Sequence, residues 1–408
     1  MRSYGVLIAV LFTAHLATSQ ANLGLGPLGP FLQQDLGLTL SQLGLLTGLR
    51  FLGTIVASIP SGVAADRLPA RSLLTGGQVF LGVLFVLMSL TGSFYTLLVG
   101  MLLLGIGFST VNPTTTRIVM ERSPVNRRAT VMALKQMGVP AGGVLAGALL
   151  PWLAATFSWK AALLGAGAVV FASALVAWRG MADGAEEAQA AAAPKPAGSF
   201  WTELRYLLGR TDVMVVSGIQ TVFTASQFIL LTYLTVFLVE VHQYSPVVTG
   251  LVFGIAQVSG FVFRLLWGLA SDILFGGRRR EVVLLIGLFL VAGVLALSWV
   301  PVGSPFWGMA LVAILVGAGG LAWAGVFILI RAELGGLDHS AASTGLGMAV
   351  ASFGGLLGPP AFGLAVEWSG SYGVAWHILA LLVLVGTLAI LRVPESSAVA
   401  QRAETSVH

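Results

Sequence analysis

Four basic residues interrupt long apolar runs of this 408-residue chain: Arg50, Arg117, Lys135 and Arg264. A charged side chain at the centre of a bilayer costs ~2.5–3.5 kcal/mol on insertion scales, so three deep cations facing lipid would cost roughly 8–10 kcal/mol. The usual compensation is an internal carboxylate. Carboxylates are scarce in these runs: Glu240 and Glu367 lie near one set of run ends and Glu333 near the other. Buried cations of this kind suit a chemistry in which the negative charge arrives from outside, as a small anion gripped by charge-assisted and bidentate contacts. Arg117 differs, because Glu121 follows one turn later and predicts a salt bridge at a helix end.

At a rise of 1.5 Å per residue, Arg264 stands ~12 Å from Asp272, Lys135 ~10 Å from Arg128 and Arg50 ~24 Å from Asp66. The three cations therefore straddle a midplane. Uncharged polar residues recur around them at helical spacing: His15, Ser19 and Asn22; Gln220, Thr224 and Gln227; Gln257, Gly260 and Arg264. Together these stripes predict a wet cavity in which Asn22, Gln220, Gln227 and Gln257 join Arg50, Lys135 and Arg264 as substrate ligands. Hydrogen bonding between helices is the competing reading of each residue. His15, whose type titrates near neutrality, is the candidate carrier of a coupling proton, with a satisfied core histidine as the alternative.

What must position these side chains follows from composition. Hydrophobic residues make up 57% of the chain and Asp, Glu, Lys and Arg only 9%, against about 25% charged in a soluble domain. With a mean hydropathy of +0.93, a water-facing shell is excluded and lipid is the main solvent. Apolar runs near 5–31, 41–65, 72–92, 95–118, 129–154, 158–178, 211–241, 247–273, 282–300, 304–332, 339–366 and 373–392 each supply the ~20 residues of a spanning helix. They lack the alternation of a membrane barrel, so the expected fold class is an all-α integral membrane protein with twelve transmembrane helices. Met1-Arg2 before an apolar stretch superficially resembles a secretory leader, but the uncharged run continues past Gln20 to Phe31 and predicts an uncleaved first span.

Of the 21 Lys and Arg residues, 16 fall at one set of run ends and only Lys160 at the other. That asymmetry, rather than nucleic-acid binding, accounts for the net charge of +5 and predicts a multi-pass inner or plasma membrane protein with both termini cytoplasmic. The absence of cysteine excludes disulfides and thiolate metal sites. No His/Asp/Glu spacing suits a metal, no P-loop is present, and no nucleophile–base set stands at depth. Neither cofactor nor enzymatic activity is expected.

The chain divides into residues 1–179, a polar Ala/Pro-rich linker over 180–210, residues 211–393 and a tail over 394–408. The halves repeat. Gly62-Val63-Ala64-Ala65-Asp66 and Gly268-Leu269-Ala270-Ser271-Asp272 stand 206 positions apart. Gly138, Gly142, Gly143 and Gly147 in one half answer Gly354, Gly355, Gly358 and Gly363 in the other. Two related bundles around a central site are a transporter architecture.

On the motif Gly62-x-x-x-Asp66-Arg67-x-x-x-Arg71, and its echo Gly268-x-x-x-Asp272 with Arg278–Arg280, the whole chain resembles the major facilitator superfamily. The resemblance implies two pseudo-symmetric six-helix bundles that expose a central site alternately to each side. It makes Gly62, Asp66, Arg67, Arg71, Gly268 and Asp272 a gating motif. Arg50 and Arg264 resemble the paired arginines of nitrate/nitrite porters, and an arginine at the place of Arg264 is shared by oxalate and monocarboxylate carriers. Ala351-Ser352-Phe353-Gly354-Gly355 is similar to the glycine-rich helix of nitrate porters.

There are departures. Met101 stands where the family often has an arginine before Gly105-Ile106-Gly107, which removes the basis for a proton relay there. Gly138-Val139-Pro140-Ala141-Gly142-Gly143 only approximates the exchanger pattern. Lys135 adds a third charge, which favours a carboxylate over nitrate. The leading expectation is a secondary active transporter, monomeric, moving a small organic carboxylate with a coupling proton or counter-anion. Nitrate/nitrite carriage, multidrug efflux and a membrane sensor are the alternatives. Drug efflux usually calls for acidic cavity groups, and a sensor for a larger cytoplasmic domain than the 180–210 segment.

Overall fold

A computed structural model describes residues 4–123, 128–181, 205 and 207–393. Within them the side chains of residues 59, 63, 66, 67, 120, 128–130, 133, 332 and 335–345 are left undescribed. Twelve helices among the described residues are long and apolar enough to cross a membrane. In chain order they are spans 1 (Tyr4–Leu36), 2 (Leu40–Ser58), 3 (Ala70–Leu90), 4 (Phe94–Val119), 5 (Leu134–Thr156), 6 (Trp159–Gly180), 7 (Thr211–Glu240), 8 (Pro246–Leu274), 9 (Arg279–Trp299), 10 (Phe306–Arg331), 11 (Leu346–Ser369) and 12 (Tyr372–Arg392). All twelve expected runs are helices. Most of the linker and the whole tail lie outside the described residues.

Local sequence explains where several spans begin and bend. Span 1 is interrupted at Gly24, where Tyr4–Leu23 gives way to Leu25–Leu36, just ahead of Pro27 and Pro30, which cannot supply backbone donors. Gly37 closes it in the left-handed conformation, the backbone geometry glycine adopts without strain. Thr39 then starts the next helix through a reciprocal capping box with Gln42.

Two compact units emerge: Met1–Ala192 with Leu231–Gln257, and Ala193–Leu230 with Val258–His408. Their border does not follow the linker. The second half of span 7 and the first half of span 8 group with the first unit.

Inside the first unit, span 5 docks on span 1 through glycines one turn apart. A Cβ on Gly142 would overlap the Leu16 carbonyl, and one on Gly138 would stand 2.6 Å from the Phe12 carbonyl. Span 8 approaches the other face of span 5 where Gly250 and Gly147 lie backbone to backbone. Span 7 is bound to spans 1 and 2 by Thr47 Oγ1···Thr232 Oγ1 (2.9 Å), Tyr233 Oη donating to Leu40 O (2.8 Å) and Gln33 Nε2 donating to Glu240 Oε1 (2.8 Å). Thr235 Oγ1 also donates to Gly26 O.

The second unit repeats the span 1–span 5 device. Cβ atoms on Gly354 and Gly358 of span 11 would press on Thr221 and Ala225 of span 7, and Thr221 Oγ1 donates to Val350 O at 3.2 Å. The glycine runs that rhyme in sequence thus each seat a helix against the first span of its half. Large apolar side chains face outward, among them Trp299, Trp307 and Trp368 at helix ends, as an interfacial aromatic belt requires.

Candidate functional site

Span 2 carries Arg50, which is only 2% exposed. Its guanidinium lies 4.0 Å from the Phe51 ring centroid and 5.8 Å from that of Phe108 on span 4. Lys135 on span 5 is 1% exposed and its Nζ donates to Asn112 Oδ1 (3.1 Å) and Thr116 Oγ1 (2.9 Å) of span 4. His15 Nε2 stands 2.9 Å from Thr115 Oγ1. The Thr115 hydroxyl donates its one proton to Val111 O at 2.7 Å, so it accepts from His15 and the histidine proton sits on Nε2. Adjacent threonines therefore serve His15 and Lys135 respectively.

In the same unit Gln257 packs where Gly143 leaves room, since a Cβ there would stand 2.6 Å from Gln257 Cδ. Asn22 Oδ1 and Gln257 Nε2 are buried without hydrogen-bond partners among the described residues. Such groups are normally satisfied by water or ligand.

The second unit builds its cation differently. Arg264 Nη2 donates to Leu321 O at 2.9 Å, and its buried Nε has no hydrogen-bond partner among the described residues. Leu321 ends a π-helical turn, Gly317–Leu321, in span 10. Such turns realign carbonyls and occur mostly at functional positions. Trp267 Nε1 donates to Ala318 O (2.9 Å) and Ser259 Oγ to Ile314 O (2.7 Å), so span 8 holds span 10 at three levels. Gln220 Oε1 and Thr224 Oγ1 on span 7 are also buried without partners among the described residues, and Gln227 on the same face is half-buried.

Neither Lys135 nor Arg264 meets a carboxylate among the described residues; both are held by neutral oxygens. Their charge can still be neutralised by an incoming anion.

At the charged helix ends, Arg279 pairs with Asp272 (2.6 Å) and Glu333 (3.4 Å) and also reaches Ser271. Arg117 forms the expected bond to Glu121 at 2.6 Å and holds the carbonyls of Ala65 and Leu68 at the end of the span 2 helix. Arg71 donates to Trp178 O at 3.1 Å and stacks on its ring, a cation at a helix C-terminus. Gly62 and Gly268 have open space where a side chain would stand. The side chains of Asp66 and Arg67 lie outside the described residues.

Sequence reading passed over Asn112, Thr115 and Thr116, although an Asn-Pro-Thr-Thr-Thr run inside an apolar span was a visible signal. It also passed over Trp267 and the π-helical turn, which periodicity cannot reveal. Arg331, grouped by sequence with the charges that set topology, is 1% exposed and occupies the space left by Gly347.

The sequence profile of the Major Facilitator Superfamily matches residues 10–280 and 250–408. The chain is 24% identical over 404 residues to the hexuronate transporter of Bacillus subtilis (strain 168), covering 95% of this chain and 93% of that one. It is 25% identical over 406 residues to the probable sulfoacetate transporter SauU of Cupriavidus necator, covering 95% and 92%. Among solved structures, the nucleoside transporter NupG superimposes with a TM-score of 0.76 at 14% identity, over 95% of this chain and 98% of that one.

Proposed function

The chain belongs to the major facilitator superfamily, a multi-pass secondary transporter and not an enzyme, and we propose that it carries a small organic anion, in the first instance a carboxylate. The observation that carries this reading is the state of Arg264: a cation within span 8 held by a backbone carbonyl, with a buried Nε left over. A carboxylate supplies both the charge and the two acceptors that such a guanidinium lacks. Arg50 and Lys135 are further ligands in this proposal, and Asn22, Gln220, Gln227 and Gln257 complete the site as neutral donors and acceptors. A hexuronate and sulfoacetate, named for the two relatives, are both organic anions, which supports the reading. Lys135 favours a carboxylate over nitrate.

Residues 1–179 and 211–393 act as two bundles about the site. The bonds joining spans 1, 2 and 7 form one gate, and Gly62, Asp66, Arg67, Arg71, Gly268 and Asp272 belong to the opposite one. His15, with its proton on Nε2 toward Thr115, is the group available for a coupling proton. The protein works as a monomer in the cell membrane with both termini in the cytoplasm. Purified protein in liposomes, offered glucuronate, sulfoacetate, mono- and dicarboxylates, nitrate and nitrite, tests the reading. Uptake of at least one organic anion is expected; uptake of cations or neutral sugars alone contradicts it.

A further inference from the structure

Arg50 is seated by the closest helix crossing in its unit. Gly53 and Gly105 face each other across spans 2 and 4: a Cβ on Gly105 would overlap the Arg50 carbonyl, and one on Gly53 the Leu102 carbonyl. At that crossing the Thr54 hydroxyl lies 3.1 Å from Arg50 O and 3.2 Å from Gly105 O, a single donor shared by the two helices. Phe108, one turn beyond Gly105 and on the same face, lays its ring 5.8 Å from the Arg50 guanidinium. One face of span 4 therefore fixes both the backbone and the side chain of Arg50.

We propose that Thr54 and Gly105 are positioning residues for Arg50, setting the depth and direction of its guanidinium at the anion site. The inference rests on the reading of Arg50 as a substrate ligand. Backbone-to-backbone contact leaves the two helices no slack in which to slide. The bridging hydroxyl adds a directional bond that a methyl of the same size cannot make. A guanidinium held in this way loses less freedom when it grips an anion, and a site is only as accurate as the shell that supports it. Gly105 thus serves substrate recognition through Arg50 rather than by touching substrate.

The test compares Arg50→Gln, Thr54→Val, Thr54→Ser and Gly105→Ala in the full chain reconstituted in liposomes, with glucuronate, sulfoacetate and nitrate as probes and thermal stability in detergent as the control. Arg50→Gln should abolish uptake. Thr54→Val should raise KM by about fivefold, the effect of one neutral hydrogen bond, with kcat changed by less than about twofold. Thr54→Ser should restore KM, and Gly105→Ala should lower kcat/KM by tenfold or more, as displacement by a fraction of an ångström can. If Gly105→Ala does not fold, the Thr54 pair decides alone. Loss of uptake in Arg50→Gln together with a normal KM in Thr54→Val overturns the positioning role and leaves the Arg50 reading standing. Normal uptake by Arg50→Gln, or no uptake of any probe by the wild type, removes that reading and the positioning role with it.

Discussion

Arg264 and Leu321 are joined by a 2.9 Å hydrogen bond from a guanidinium to a backbone carbonyl at the end of a π-helical turn. A carbonyl orients a cation without cancelling its charge. In a low-dielectric interior that leaves a strong attraction for an anion, and it explains how a cation can persist within a span with no carboxylate beside it among the described residues.

Replacing Arg264 by Ala should therefore abolish anion uptake while leaving the protein folded. Removing a costly buried charge relieves desolvation, so the melting temperature in detergent should stay near the wild-type value. Arg264→Lys keeps the charge but not the planar fork, and its kcat/KM should fall by about tenfold or more. A large drop in melting temperature for Arg264→Ala would make the arginine structural.

Lys135 and Asn112 allow a double-mutant cycle. Asn112→Leu removes an acceptor from a buried ammonium and should destabilise the protein by about 1–3 kcal/mol in reversible SDS unfolding. In the Lys135→Met background the same change should be near neutral, since the group left unpaired is gone. Additive effects would show that the 3.1 Å contact carries no energy.

The chain has no cysteine, so a designed pair reports without interference. Thr47 and Thr232 oppose each other with oxygens 2.9 Å apart. Thr47→Cys with Thr232→Cys should form a disulfide under mild oxidant, stop uptake, and recover with reductant. Transport at the wild-type rate by the cross-linked protein would mean that spans 2 and 7 do not separate there during the cycle.

His242 lies in the connection between spans 7 and 8, packed 5.1 Å from the Phe237 ring and buried with both ring nitrogens lacking hydrogen bonds among the described residues. Burial holds its pKa below the ordinary value of 6.5. The unfolded chain then takes up the proton first, so stability is lost as pH falls below 6.5 and is unaffected above it. Melting temperature against pH should drop more steeply on the acid side for the wild type than for His242→Phe. Parallel curves would remove His242 from the acid response.

Much of the molecule was legible in its sequence because lipid imposes simple rules. Length and apolarity mark a spanning helix, and a charge inside one needs a reason. The repeat was legible too, since Gly138 and Gly142 answer Gly354 and Gly358 in the packing they permit. Partners of the cations were not. Neutral acceptors such as Asn112, Thr116 and the Leu321 carbonyl come from other helices, and only tertiary packing selects them. The grouping of Leu231–Gln257 with the first unit was hidden for the same reason: both spans read as uniform apolar helices from end to end.

The most direct measurement sets glucuronate against glucose in the same liposomes, two hexose skeletons that differ by a carboxylate at one end, with each organic acid of the panel likewise set against its primary amide. Uptake of an acid but not of its neutral counterpart, lost in Arg264→Ala, is the predicted result. Equal uptake of acid and neutral partner, or selective uptake of an acid that survives Arg264→Ala, contradicts recognition of an anion by that arginine.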